Sequence, residues 1–445
     1  VRTRPLAAFL VIVFVFALYR ATLLPGVDFG DTGSFQATVG SPIITPRDGY
    51  PLYFAIGGLF LRATRAEPAR ALNLASAAAA ALACGVIVIA AAELSGSVLA
   101  AMAAALLFAG SYTFWSQAII AEVYALHLLI VMLTLLLLLR WQQRPTHGRL
   151  ALFFLVYALG FGNHLSMILL APGYTAFLLT AAPRGWRSMF TPRVVATAVT
   201  LAAAGSLQYA WNLRGLWTSA QPPHGLIDAL QLFWFDVTKA DWRETMVLRV
   251  PTSMLQDRAS MYLFDLRQQF GWPGALLAIL GAVRLTAESW RRGMLLMMLY
   301  AVNVGFAYSY NVGDAHVFYL PSHLILALFA APGIVAVAAT ARRIAPVSAR
   351  AAALAAVASL AMAYAGARVY RDYPALDRSG DRRPTEVLSD LTAGLDDQHA
   401  ILLTDLNWQV QNGLSYFTSV LRPDVATARV TDVLLYAPAL VRDNM

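Results

Sequence analysis

The chain has 445 residues, 59% of them hydrophobic and 13% charged, whereas a soluble domain averages about 25% charged residues. That balance sets aside a soluble enzyme, and continuous rather than alternating apolar runs set aside a β-barrel. The formal net charge of +8 does not point to nucleic acid, because the basic residues cluster between the apolar runs as the positive-inside rule expects.

Apolar runs fall near 5–24, 71–92, 97–113, 117–139, 150–162, 164–182, 194–213, 272–286, 293–310, 317–340 and 351–367. Many approach the ~20 residues a bilayer crossing needs. They predict an all-α polytopic membrane protein with about eleven transmembrane helices. The first run follows Arg2 and Arg4 and reads as a retained helix, being longer than a signal core and lacking a small-residue cleavage site. Cys84, the lone cysteine, lies in an Ala-rich run and reads as packing, with no disulfide framework around it.

The arginines at 2 and 4, at 140, 144 and 149, at 184, 187 and 193, at 291 and 292, and at 342, 343 and 350 are placed in the cytoplasm. Both flanks of 150–182 are then cytoplasmic. Too long for one upright helix, that segment reads as two short ones meeting at an apex over Gly160–His164. The external segments become 25–70, 111–117, the 160–164 apex, 214–271, 311–316 and everything from 368 onward. Tyr50 to Leu61 reads as a helix lying at the interface. The chain thus divides into a transmembrane unit, 1–367, and a polar external tail, 368–445. In the tail Ala400–Thr404 and Val425–Val430 read as strands around a helix at Trp408–Val420. This small α/β fragment is expected to pack on the membrane part.

With this topology the unusual polar residues share the external face. Asp31 follows the first span closely. With Asp28 it makes two carboxylates in four residues, costly beside lipid and often kept for chemistry; Asp31 also suits a helix N-cap and Asp28 a solvated turn. Arg47 suits a phosphate, which guanidinium grips bidentately, or a lipid headgroup. Asp48 reads as the partner of Arg47 or a substitute acid, and Tyr50 as part of a turn into the interfacial helix. Glu122 is expected about one turn inside its span, where a carboxylate is expensive unless paired or wet. Tyr124 suits a belt aromatic and His127 a structural role. Asn163 and His164 top the short hairpin, where irregular backbone is tolerated beside a cavity; they read as substrate contacts or caps. Asp314 and His316 look like a metal pair, but two ligands do not make a site, so a substrate contact is the preferred expectation. Aromatics beside acids at 233–236 and 241–244 suit sugar stacking or an interfacial helix. No Gly-rich phosphate loop and no Asp-x-Asp signature is found, which favours a lipid-linked donor over a nucleotide sugar.

Asp31-Thr32-Gly33-Ser34-Phe35 followed by Gly49-Tyr50-Pro51-Leu52-Tyr53 resembles a family pattern of Asp-Ser-Gly-Glu-Phe, then His-Pro-Pro-Gly-Tyr-Pro-Leu. Phe114-Trp115-Ser116-Gln117 through Glu122-Val123-Tyr124-Ala125-Leu126-His127, Gly162-Asn163-His164, Asp314 with Phe318-Tyr319-Leu320-Pro321, and Arg422-Pro423-Asp424-Val425 match in the same order. The family is a group of bacterial membrane proteins related to a vertebrate endoplasmic-reticulum O-mannosyltransferase, within the GT-C membrane glycosyltransferases. The resemblance implies a GT-C-like fold and a polyprenyl-phosphate-linked, mannose-like monosaccharide as donor. It implies transfer with inversion to a protein, lipid or glycan hydroxyl on the external face of a bacterial inner membrane. It assigns the acid of the first external loop to Asp31, and implies no cofactor, no metal and no nucleic acid. Ser34 stands where the family has Glu, and Pro46 where it has His. Asp31 must therefore act without the neighbouring carboxylate, or Asp28 or Asp48 stands in. A flippase of lipid-linked sugars would place polar residues through the midplane, and a non-catalytic envelope scaffold is the other alternative.

Overall fold

The computed structural model describes residues 3–218, 222–395, 401–423 and 425–429. The chain opens with α1 (Thr3–Ala21), the short α2 (Gly30–Thr38) and α3 (Pro51–Thr64). The scaffold follows as α4 (Pro68–Ser95), α5 (Val98–Ala109), α6 (Tyr112–Ala118) and α7 (Tyr124–Gln143). Next come α8 (His147–Gly160), α9 (Ala171–Ala181), α10 (Pro192–Ser206) and α11 (Ala210–Gly215). A surface segment holds α12 (Leu226–Val237) and α13 (Ala240–Met246), and then α14 (Leu255–Glu288), α15 (Trp290–Ser309), α16 (Leu320–Ile344) and α17 (Ala353–Leu376) complete the bundle. The tail contains α18 (Arg383–Leu391), β1 (Ile401–Thr404), α19 (Trp408–Tyr416) and β2 (Ala426–Arg429).

Alanine explains the centre of the bundle. It is the best helix former, and its small side chain lets backbones approach in a membrane. α4 is 28 residues long and Ala-rich, and it packs against α1, α5 and α7. α14 and α16 meet more closely still, through glycine. A Cβ on Gly281 would lie 1.7 Å from the Phe329 carbonyl oxygen, and one on Gly333 would lie 1.9 Å from that of Leu277. α14 bends at Gly271 (φ 60°), ahead of Pro273, and α17 seals the bend through a hydrogen bond from Tyr364 Oη to the Phe270 carbonyl, 3.0 Å.

Among the described residues, seven helical segments are long and apolar enough to cross a membrane, or eight if the pair α5–α6, bent by 71°, counts as one, fewer than the eleven expected. The runs at 150–162 and 164–182 are shortened helices, α8 and the segment Leu165–Ala181, that meet at the anticipated apex. The run at 293–310, within α15, is not among the seven. The run at 117–139 begins only at Tyr124, so Glu122 sits in the loop ahead of α7 and not inside a span. α3 is not among the spanning helices either.

The bundle has two chemically distinct ends. At one, Glu93 accepts from Arg140 (3.2 Å) and Gln143 (3.1 Å), Arg292 donates to Gln142 (2.9 Å), and Arg149 donates to the Arg140 carbonyl (2.7 Å). The first residues of α4 and α7 lie at the other end, about 30 Å away along α7 at 1.5 Å per residue. That end carries the acidic loop. The fold is that of a multi-pass membrane protein.

The helical unit runs past 367, because α17 continues to Leu376. Beyond it, β1 pairs in parallel with β2 around α19. Ala400, Asp424 and the chain after Arg429 lie outside the described residues. Leu388, Leu414, Tyr416 and Phe417 pack with Val27 and Ala69 in a second apolar cluster, which docks the tail on the acidic end.

Candidate active site at the acidic end

α2 and the loop before it are held by buried amides. The Asp28 backbone N–H donates to Gln36 Oε1 (3.0 Å), Gln36 Nε2 donates to Asn73 Oδ1 (3.0 Å), and Asn73 Nδ2 donates to the Leu24 carbonyl (2.9 Å). Gln36 and Asn73 are fully buried, so α4 fixes α2 in place. α19 fixes it from the other side. Asn412 Nδ2 donates to the Gly30 carbonyl at 3.2 Å. A Cβ on Gly33 would lie 2.5 Å from the Asp28 carbonyl oxygen and 3.1 Å from the Gly413 nitrogen.

Asp31 is the second residue of α2 and does not cap it; the N-cap is Phe29, with no side-chain cap bond. Its side chain is exposed, yet the surrounding protein raises its pKa by desolvation, opposed by Lys239 and reinforced by Asp314. Asp31 is thus open to solvent while flanked by protein and by two further charged groups. Asp28 differs. It forms an ion pair with Arg378, which also binds Asp381 at 2.9 Å. A carboxylate so held tethers α2 to the tail.

Thr32, next to Asp31, donates to Glu122 Oε1 at 3.0 Å. Desolvation, then the Asp31 charge, push Glu122 up to about 8, so a second carboxyl, from another part of the chain, lies close enough to Asp31 to feel its charge.

The hairpin apex forms the next wall. Asn163 is fully buried and donates to the Val123 carbonyl at 3.1 Å, so it braces the Glu122 loop instead of facing the cleft. His164 Nδ1 accepts from the Ser166 backbone N–H (3.2 Å) and meets Ser166 Oγ at 2.7 Å. Its ring stacks on Tyr50 at 6.2 Å and touches Tyr124 at 5.9 Å. Desolvation, then Lys239, lower His164 to about 4, so it is neutral at pH 7. Capping and cleft-lining therefore coincide in one residue. His127 joins the same wall, 3.1 Å from Ser166 Oγ. Tyr124 faces His164 and Phe318, not a lipid belt.

Tyr50 holds a left-handed backbone (φ 53°) between Gly49 and Pro51, the first residue of α3. A non-glycine residue in that region costs about 1–2 kcal/mol, and such strain concentrates at functional sites. Across from it Lys239, itself left-handed (φ 47°), places its ammonium 5.8 Å from the Tyr50 ring centroid. Lys239 escaped the sequence reading, although a signal was present: it is the only lysine in the chain, against 32 arginines.

Three expectations are corrected here. Arg47 grips Asp241 through two 2.9 Å hydrogen bonds and stacks over Trp242 at 5.0 Å, so its guanidinium is engaged with protein. Asp48 is not its partner; it accepts from the Thr45 hydroxyl (2.8 Å) and backbone (3.0 Å). Tyr319 is buried against Tyr262 (4.6 Å) and His323 (6.2 Å), in the core between α14 and α16. Asp314 is exposed and acts electrostatically on Asp31 and Glu122. His316, also exposed, acts instead on Asp265 of α14, so the two do not form a pair. Among the described residues no three His, Cys, Asp or Glu side chains gather as a metal site.

A cavity of about 410 Å³ runs between α8, α9 and α10, lined by Phe153, Tyr157, Phe161, Tyr174, Leu178 and Tyr209. It ends under the apex. Tyr209 Oη donates to the Phe161 carbonyl (2.7 Å), and the Gly162 carbonyl accepts from Leu52 of α3 (2.9 Å). The cavity thus borders the apex, and the apex is tied by that backbone bond to the start of α3, next to Tyr50.

The bundle, with short surface helices at its acidic end, shares its fold with solved structures. The structure superposes on ArnT from Cupriavidus metallidurans bound to undecaprenyl phosphate with a TM-score of 0.64 at 12% identity, covering 96% of this chain and 90% of that one. It superposes on the apo oligosaccharyltransferase of Archaeoglobus fulgidus with a TM-score of 0.60 at 13% identity, covering 94% of this chain and 64% of that one. The same archaeal enzyme in complex with an inhibitory peptide and a dolichol-phosphate gives 0.54 at 14% identity, with the same coverage. This chain spans less than two thirds of that enzyme. In sequence, residues 31–187 match the family model of the Protein O-mannosyl-transferase TMEM260 N-terminal domain. That segment contains Asp31, Tyr50, Glu122, Tyr124 and His164, and the resemblance read from the motifs holds there. No curated protein matches the chain in sequence.

Proposed function

We propose that this protein is an inverting glycosyltransferase that moves a monosaccharide from a polyprenyl-phosphate donor to an acceptor hydroxyl. Asp31 carries the proposal. It is a solvent-reached carboxylate whose pKa the surrounding protein raises by desolvation, on the same end of the bundle as Glu122, His164 and Lys239. Asp31 accepts the acceptor proton as that oxygen attacks the anomeric carbon. The bond from the anomeric carbon to the phosphate oxygen breaks, and the lipid phosphate leaves with the electron pair. One displacement inverts the centre. Glu122, protonated at neutral pH, adds no competing charge and is free to donate to a sugar or phosphate oxygen. The fold likeness to ArnT, solved with undecaprenyl phosphate, supports a lipid-linked donor, and the O-mannosyl-transferase match favours a mannose-like sugar. No separate cofactor enters this scheme. By the positive-inside rule the acidic end, opposite the arginines, faces the exterior of a bacterial inner membrane.

The test is transfer from a panel of synthetic polyprenyl-phosphate sugars in proteoliposomes, with envelope protein, lipid and glycan fractions as acceptors. Stable product and free polyprenyl phosphate are expected. Translocation of the donor without transfer would replace this reading with a flippase.

A further inference from the structure

Lys239 stands out on three independent grounds. In a chain that uses arginine at 32 of its 33 basic positions, it alone presents a compact ammonium. Its backbone is left-handed and half-buried, and its Nζ lies over Tyr50, which stacks on His164. The following residues are clamped: Arg47 holds Asp241 bidentately, lies 4.0 Å from Asp236 and covers Trp242. α13 is thereby pinned to the turn that carries Tyr50.

Resting on the glycosyltransferase reading, we propose that Lys239 is the cation that receives the donor phosphate, and that Arg47 is a positioning residue acting through Asp241 to hold Lys239 over the cleft. In this proposal the lipid phosphate sits against the stacked Tyr50–His164 pair, beside the Lys239 ammonium. An ammonium is a mobile point charge with three donors, suited to an anion that gains charge as the glycosidic bond breaks. Arg47, which residue type alone would choose, has its fork filled by a carboxylate. The acids facing this region are Asp31, Glu122 and Asp314, with Tyr50, Tyr124 and Tyr310 beside them. Lys239 is the cation acting on Asp31, and it holds that carboxyl down against desolvation.

Because Lys239 is the only lysine, amine acetylation reports on one side chain, with the α-amino group as internal control. The probes are polyprenyl monophosphate and uncharged polyprenol, added to the full chain in nanodiscs. Polyprenyl monophosphate is expected to slow Lys239 acetylation about tenfold, and polyprenol is not. Lys239→Met is expected to weaken polyprenyl monophosphate binding at least about tenfold, while Lys239→Arg restores it and polyprenol binding stays unchanged. Arg47→Gln and Asp241→Asn are expected to weaken it by equal factors, with no further loss when combined or when added to Lys239→Met. In turnover, Lys239→Met also shifts the acid limb of kcat/KM to higher pH, since Asp31 loses its neighbouring cation. If the wild type prefers the phosphate over polyprenol but Lys239→Met binds it equally well, the Lys239 assignment is overturned. If the wild type shows no such preference, the lipid-phosphate reading itself falls.

Discussion

Asp31 interacts electrostatically with Lys239 and with Glu122, and Asp314 is a further acid acting on both carboxyls. Glu122 is neutral at pH 7 and ionises as pH rises through about 8. Its ionisation sets a second negative charge beside Asp31. We expect kcat/KM to fall above about pH 8 in the wild type and to hold in Glu122→Gln, with near-normal activity of that variant at pH 7. A large loss in Glu122→Gln at pH 7 would contradict a protonated Glu122. Stability follows the same sign. The folded value lies above the ordinary 4.5, so the contribution is full below that pH and lost as pH rises through the folded value. Tm should therefore decline across that window in the wild type and stay flatter in Glu122→Gln. Asp31 was legible in the sequence because two acids after an apolar span are conspicuous. The role of Glu122 was not, because its partner Thr32 is 90 residues away.

Elements α2 and α19 show how the site is held from both sides. A methyl on Gly33 meets the Asp28 carbonyl at 2.5 Å, and backbone cannot swing aside as a side chain can. Gly33→Ala is expected to lower stability by about 1–3 kcal/mol, the usual range for overpacking, and to reduce transfer, read by thermal melting and turnover together. Unchanged values in both would show that α2 is not so confined. The helix–strand order of the tail was readable, since β1, α19 and β2 fall within the expected segments. Its docking on α2 was not, because that depends on Arg378 meeting Asp28 across 350 residues. The same long range hid the engagement of Arg47 by Asp241, 194 residues on. Residue type suggests what a side chain can bind, but only the fold shows that a partner already occupies it. Helix breaks were also misjudged, because apolar periodicity does not register a turn made of apolar residues such as Ile119 and Ile120 before α7.

Across the whole molecule, orientation is a proposal that rests on the arginines clustered at the end away from Asp31. Gly313 and Gly148 sit at opposite ends with open space where a side chain would go. In intact cells Gly313→Cys is expected to react with an impermeant maleimide and Gly148→Cys only after permeabilisation, while buried Cys84 stays silent. The reverse pattern would place the cleft in the cytoplasm. The helical membrane class held, whereas seven or eight of the eleven expected spans are long and apolar enough among the described residues, since hydropathy measures greasiness and the fold spends part of it on shorter helices such as α8. The central claim is that Asp31 is the base of a lipid-linked sugar transfer. Its most direct test is kcat/KM for one active polyprenyl-phosphate sugar, measured in wild type, Asp31→Asn and Asp28→Asn. The account predicts a loss of at least about 100-fold in Asp31→Asn and a much smaller one in Asp28→Asn. Activity retained in Asp31→Asn would contradict it.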